Sequence, residues 1–334
     1  LRSPAPWRDR AAEAHAPPAG CAHGRSEMVV LRLAYRPPYD FAHLQEFLAR
    51  RALAGVERVD AEGYARTLAC PGGHALLAVR PLAGEDALEL RIAGAPPAAL
   101  LPLAQRARRV FDLAGDPTRI RAELAADPLI GPLVAQRPGV RIPGAWDAFE
   151  CAVRAVLGQQ VSVAAGRTFA ARLVERSGER LRGGGAGLTR LFPTPARVAR
   201  AKLEGLGLTT ARTAALRSLA RAVLERRVDF GAAPTEVVAA LAALPGIGPW
   251  TAQYVALRAL GDPDALPHGD WVLRRMAAPA GGAMLSARAL EERASRWRPW
   301  RGYATVHLWR AAGERGARAP RRARVRAAAA APPA

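Results

Sequence analysis

An α+β N-terminal domain, built as a small antiparallel sheet with helices and followed by an all-α region, is the fold class that this 334-residue sequence predicts. Three observations carry that expectation. Between residues 28 and 110, short apolar runs alternate in strand fashion and are parted by turn-forming residues. From 111 to 313 the pattern changes to successive amphipathic helices with short Gly/Pro connections. The length exceeds one ordinary domain, so two or three packed units with a real core are expected.

The elements follow in order. Residues 1–27 are rich in Ala, Pro and charge without periodicity, and read as a linker or a truncated fusion remnant. Met28 to Tyr35 alternates as a strand, and Asp40 can cap a helix carrying Phe41, Leu44, Phe47 and Leu48. Two further strands, HALLAVRPL and ALELRI, flank an AGED turn. In the helical region, Asp147 and Glu150 make a D-x-x-E capping box for a helix bearing Phe149, Val153, Val156 and Leu157. That helix breaks at Gly158-Gln159-Gln160, exposing both glutamines, and Ser162 restarts it. Thr194-Pro195 opens another helix, a longer one runs from about Thr210 to Arg226, and Thr235 is expected to cap EVVAALAAL. Residues 314–334 carry Arg318, Arg321, Arg322, Arg324 and Arg326 and end in low complexity, the composition of a basic disordered tail.

Composition narrows the class of partner. A formal net charge of +20 favours a polyanion, because each neutralised phosphate releases counterions. An arginine-rich, lysine-poor chain also follows from a GC-rich coding sequence, and Lys202 is the only lysine, so charge alone leaves both readings open. No apolar run approaches the roughly 20 residues of a bilayer span, and the N-terminal stretch lacks the apolar middle of a signal peptide. A soluble cytoplasmic monomer is expected. Cys21, Cys70 and Cys151 are odd in number and far apart, and Cys21 with His23 is an isolated pair, so neither a disulfide framework nor a metal site is expected.

The segment LPGIGPW, Leu244 to Trp250, lies between two apolar helical stretches and reads as a helix-hairpin-helix. Gly246 and Gly248 permit a tight reversal, and Pro249 suits the first helical position. The backbone N–H groups of Leu244, Pro245, Gly246, Ile247 and Gly248, the proline excepted, could hold a phosphate without reading sequence. An ordinary αα-turn is the alternative. Some twenty residues on, in LPHGDWVLRR, Asp270 heads a helix carrying Trp271, Val272 and Leu273. As an N-cap it would stabilise that helix by about 1 kcal/mol, a role compatible with a second one in chemistry.

A hairpin of LPGIG type followed at this distance by an aspartate resembles the helix-hairpin-helix DNA glycosylase superfamily, and within it the bacterial 3-methyladenine DNA glycosylases of type II. The similarity runs through RPPYDFAHLQEFLARRA (36–52), RPGVRIPGAWDAFECAVRAVLGQQVSV (137–163), LFPTPARVA (191–199) and SRWRPWRGYATVHLW (295–309), covering roughly residues 28 to 313.

The resemblance implies a function and a set of residues. The partner would be double-stranded DNA containing alkylated bases, and Asp270 the carboxylate that stabilises an oxocarbenium-like sugar while water attacks. A purine alkylated at N3 or N7 leaves as a neutral base, so one carboxylate suffices. Gly269 stands where some relatives carry a second acid. Trp250, Tyr254, Trp300 and Gln159 would form the base pocket, where aromatic faces attract a cationic base by about 0.5–2 kcal/mol. Trp250 and Tyr254, four apart, share a helix face. Core packing is the alternative for any one ring, and Trp297 is read as structural. Gln160 would be the wedge that fills the stack after base flipping, at a position where a relative has an apolar residue, with a plain surface helix break as the alternative. Lyase-type relatives carry a lysine near Trp250, and the iron–sulfur branch has four cysteines after the catalytic domain. This chain has neither, which leaves hydrolysis without a cofactor, apart from the monovalent cation that relatives hold at the hairpin carbonyls. Two other readings stay open: a non-catalytic DNA-damage-binding protein, and the repair half of a fused adaptive-response regulator.

Overall fold

The structure is a computed structural model that describes residues 28–181 and 187–318. The expected linker at 1–27, with Cys21 and His23, and the tail beyond Arg318 lie outside the described residues.

The N-terminal part is a five-stranded antiparallel sheet in the order β1-β5-β4-β3-β2. Its strands are β1 (Val29–Ala34), β2 (Glu57–Asp60), β3 (Gly63–Cys70), β4 (Gly73–Pro81) and β5 (Ala87–Ala93), with helix α1 (Phe41–Ala49) after β1 and α2 (Pro97–Val110) after β5. Asp40 caps α1, accepting from His43 N at 2.9 Å. Strands β1, β4 and β5 are the expected ones, whereas β2 and β3 escape a search for alternation. β2 has only four residues, and β3 is buried on both faces from Gly63 to Leu68, so its pattern has no polar side. Gly63 turns between them at φ +148°, with the place of a Cβ 2.2 Å from the Val79 carbonyl, so only glycine fits. The sheet's core extends past α2 to Phe111, Leu113 and Trp146.

The rest is helical: α3 (Pro117–Leu124), α4 (Ile130–Gln136), α5 (Ala148–Leu157), α6 (Val163–Ser177), α7 (Pro195–Arg200), α8 (Thr210–Leu224), α9 (Pro234–Ala242), α10 (Pro249–Val255), α11 (Trp271–Met276), α12 (Ala287–Ala294) and α13 (Arg301–Arg318). A π-helical turn, Ala256–Leu260, continues α10 and ends at Gly261 in the left-handed region, φ +71°. These helices make two cores. α5 to α9 pack in one with Ala252 and Val255; α3, α4 and α11 to α13 pack in the other with Ala256 and Leu257. The continuous helix from Pro249 to Leu260 is thus the spine between two lobes, and what it presents sideways faces the cleft between them. Among the described residues no helix is long and apolar enough to cross a membrane.

Three local expectations are corrected. Thr235 is not the cap of α9: Ala233 takes that position and Pro234 is the first helical residue, because proline's fixed φ and missing N–H suit the first turn. α13 continues through Arg318 rather than giving way to a tail at 314. Only half of the capping box at α5 forms. Asp147 accepts from Glu150 N at 2.8 Å, but the Glu150 carboxylate turns away to Arg66 Nη2 (2.7 Å) and Arg154 Nη1 (2.8 Å).

That detour joins the sheet to the helical region. Glu57 accepts from Arg154 Nη1 (2.9 Å), the Tyr64 hydroxyl (2.6 Å) and Leu53 N (3.1 Å), so two buried carboxylates and two guanidiniums neutralise one another. Breaking such a cluster leaves a buried charge unpaired. Arg66→Ala is expected to lower the unfolding free energy by about 3–5 kcal/mol, read from the midpoint and slope of urea unfolding. An unchanged midpoint would deny the cluster its structural role.

Candidate active site

The hairpin between α9 and α10 is anchored by Leu244 and Ile247, both buried, while Pro245, Gly246 and Gly248 are exposed. Its two glycines do different work. Gly246 has φ +80° and a Cβ would stand 2.8 Å from the Ala215 Cβ of α8, so the fold demands it. Gly248 has an ordinary φ of −86°, and a Cβ there would meet nothing within 4 Å. What its lack of a side chain provides is open access to the backbone at the start of α10.

The turn between α5 and α6 sits against this hairpin. Gln159 Nε2 donates to the Gly246 carbonyl and to Thr251 Oγ1, each at 3.0 Å, and Arg212 Nη2 of α8 holds the Gln159 carbonyl at 2.6 Å. Gln159, expected at the base pocket, is not among the residues lining the cavity beside Asp270, and both its amide hydrogens are engaged by the hairpin and its second helix. Gln160, next along, is exposed at the tip of the turn with φ +55°.

Asp270 caps α11, accepting from Leu273 N at 2.9 Å, so its backbone position is set by the helix it starts. Its carboxylate also accepts two indole N–H bonds, from Trp250 Nε1 to Oδ2 (3.0 Å) and from Trp309 Nε1 to Oδ1 (3.2 Å). Trp250 stacks on Tyr254 with ring centroids 5.4 Å apart, and Tyr254 meets Trp309 at 6.0 Å. These groups line a cavity of about 690 Å³. The structure thus brings Trp250 and Tyr254 together with Asp270 on one cavity.

Trp300 is not. Its Nε1 donates to Glu123 (2.9 Å), its ring meets Tyr303 edge-on at 5.7 Å, and it lines a separate cavity of about 350 Å³. Trp309, which the sequence reading passed over, takes its place. The reason is helical phase: Trp300 stands just before α13 and Trp309 nine residues further on, about two and a half turns, which puts the two rings on opposite sides. Val306, Trp309, Arg310 and Gly313 form the face toward the larger cavity. Trp297 is fully buried, and its Nε1 bonds Asp127 at 2.8 Å, as befits a structural residue.

Beyond Tyr254 the cavity wall becomes basic. Arg258 Nη1 donates to the Tyr254 hydroxyl at 2.5 Å, and Arg51, Arg66 and Arg154 also line this end, with Glu57 and Glu150. Arg258 had a legible signal: it continues the four-residue spacing of Trp250 and Tyr254. Arg51 likewise follows Phe47 by four.

Comparison with known proteins agrees with this architecture. Residues 30–147 match the AlkA N-terminal domain, and residues 153–301 match the HhH-GPD superfamily of base excision DNA repair proteins. The chain is 37% identical over 285 residues to DNA-3-methyladenine glycosylase 2 of Escherichia coli, covering 83% of this chain and 95% of that protein. It is 38% identical over 283 residues to a probable bifunctional transcriptional activator/DNA repair enzyme AlkA of Mycobacterium tuberculosis, covering 84% of this chain but only 56% of that relative. The fold is also that of a 3-methyladenine DNA glycosylase from Archaeoglobus fulgidus, with a TM-score of 0.71 at 19% identity, covering 83% of this chain and 96% of the other. By its two matched regions and its identity to the E. coli enzyme along nearly all of that protein, the chain belongs to the HhH-GPD superfamily, in the branch that carries an AlkA N-terminal domain.

Proposed function

We propose that this chain is a monofunctional DNA glycosylase that flips alkylated purines, such as 3-methyladenine, out of duplex DNA and hydrolyses the N-glycosidic bond to leave an abasic site. The observation that carries the reading is the Asp270 carboxylate, held by three N–H donors against an aromatic cavity. With Oδ1 accepting two bonds and Oδ2 one, the carboxylate is oriented and a poor nucleophile, which suits electrostatic stabilisation of a cationic sugar. Oδ2 keeps a lone pair for a proton from the attacking water. As the C1′–N bond breaks, its electron pair neutralises the cationic purine, so no general acid is required.

The hairpin would hold a DNA phosphate by its backbone N–H groups, and Gln160 at the tip of its turn would enter the stack. A monovalent cation fits the hairpin by donor chemistry. The Leu244 and Gly246 carbonyls accept from Ile247 N (3.1 Å) and Gln159 Nε2 (3.0 Å), and each has a second lone pair. A cation held there would add positive charge for the phosphate.

Hydrolysis rather than lyase chemistry is favoured because the one lysine, Lys202, is not among the residues lining the cavity. Purified protein is expected to release base from alkylated duplex DNA, leaving alkali-labile sites, and to give no covalent adduct when borohydride is added. A trapped adduct would overturn the hydrolytic assignment. The M. tuberculosis relative favours a second reading, in which this chain is the repair half of a longer regulator. A reading frame continuing upstream of Leu1 into a helix-turn-helix would decide for it.

A further inference from the structure

The two ends of the larger cavity differ in charge. Asp270 stands at one end; at the other, Arg51, Arg66, Arg154 and Arg258 share the wall with only two carboxylates, Glu57 and Glu150. Those two are engaged by Arg66 and Arg154. Arg258 is held by the Tyr254 hydroxyl (2.5 Å), the Gly144 carbonyl (3.0 Å) and the Pro143 carbonyl. The remaining acids of the lining are also committed: Glu46 to Arg50, Glu314 to Arg310, and Asp147 to the cap of α5.

Neither Arg51 nor Arg258 at this end forms an ion pair among the described residues, but Arg258 is held by three acceptors and Arg51 is the less fully engaged. Its Nη1 donates to the Phe47 carbonyl at 3.2 Å, and its guanidinium lies 3.6 Å from the centre of the Phe47 ring, which Arg258 also approaches, at 4.5 Å. Burial, then the neighbouring Arg258 and Arg154, pull it down to about 10 against the favourable Tyr254, so it remains charged at neutral pH. A cation partly withdrawn from water beside other cations is stabilised when an anion joins it. The Trp250–Tyr254 stack spans the interval from Asp270 to this guanidinium.

We propose that Arg51 is the counter-charge for an anionic group on the flipped base, so that the cavity takes purines bearing a carboxylate-tipped N-alkyl substituent in preference to their neutral counterparts. The proposal rests on the glycosylase reading above. With the sugar at Asp270 and the substituent at Arg51, a guanine carboxymethylated at N7 is a zwitterion aligned with the cavity's own charge separation. Cleavage balances as before: the C1′–N9 pair cancels the ring cation, water supplies the hydroxyl at C1′, its proton goes to Asp270, and the carboxylate leaves unchanged on the base.

The test is single-turnover base release by the whole chain from three duplexes, holding one guanine substituted at N7 with carboxymethyl, carbamoylmethyl or methyl. Carbamoylmethyl matches carboxymethyl in shape without its charge. The wild type is expected to release the carboxymethyl base about tenfold faster than the carbamoylmethyl base, the scale of one charge-assisted hydrogen bond. That ratio should fall to about 1 in Arg51→Met and survive in part in Arg51→Lys, which keeps the charge. A ratio of about 1 in the wild type, or an undiminished ratio in Arg51→Met, overturns the proposal. The wild-type comparison decides even if a variant fails to fold. Release of all three bases at equal rates removes only the Arg51 subsite, whereas release of none removes the glycosylase reading with it.

Discussion

Asp270→Asn is expected to slow single-turnover release of 3-methyladenine from duplex DNA by about 10²–10³-fold, the range found when one preorganised electrostatic group is lost. The substitution is close to isosteric, and asparagine is as good an N-cap as aspartate, so the bond from Leu273 N and the start of α11 should persist. What changes is the charge. The asparagine oxygen can serve Leu273 N and Trp309 Nε1, but its amide then faces Trp250 Nε1 as donor against donor. An unsatisfied pair of this kind costs about 1–3 kcal/mol, so folding should be checked by circular dichroism and DNA affinity by titration. With both preserved, a rate equal to the parent's would exclude Asp270 from the chemistry.

Replacing the indole donors tests the same site from the other side. Trp250→Phe and Trp309→Phe each keep an aromatic ring and remove one N–H from the carboxylate, and each is expected to reduce the single-turnover rate by about 10–100-fold. The loss should appear in the chemical step rather than in DNA binding, because the donors act on Asp270 and not on the backbone grip of the hairpin. Benzothienylalanine at either position, with the outline of tryptophan and sulfur in place of N–H, should behave like phenylalanine. If it instead restores the parent rate, the rings act by stacking and the hydrogen bonds are incidental.

How much of this was legible beforehand differs by element. Helices announce themselves when one face is apolar and a cap precedes it, as at Asp40, Asp147, Ser162 and Asp270, all of which cap as expected. β3 does not, since a strand buried on both faces has no alternation, and its Arg66 argues locally against burial. Only the carboxylates of Glu57, opposite it on β2, and of Glu150, far along the chain, make that arginine admissible. Glu150 shows the converse: its spacing from Asp147 spells a capping box, and a buried guanidinium outbids the local partner.

By itself the sequence determined the two-part fold class, the hairpin at Leu244 to Gly248, and the pairing of Trp250 with Tyr254, because turn chemistry and helical spacing are local. Tertiary structure decided which groups meet Asp270. Trp300 and Trp309 are equally aromatic and near one another in the chain, and only the phase of α13 against the cleft selects Trp309. It also decided that Gln159 braces the hairpin instead of facing the cavity, and that Arg51 and Arg258 share a cavity wall with no ion pair of their own among the described residues. Hydrogen bonds and charge balance join residues far apart in the chain, so spacing cannot show which partner each group finds.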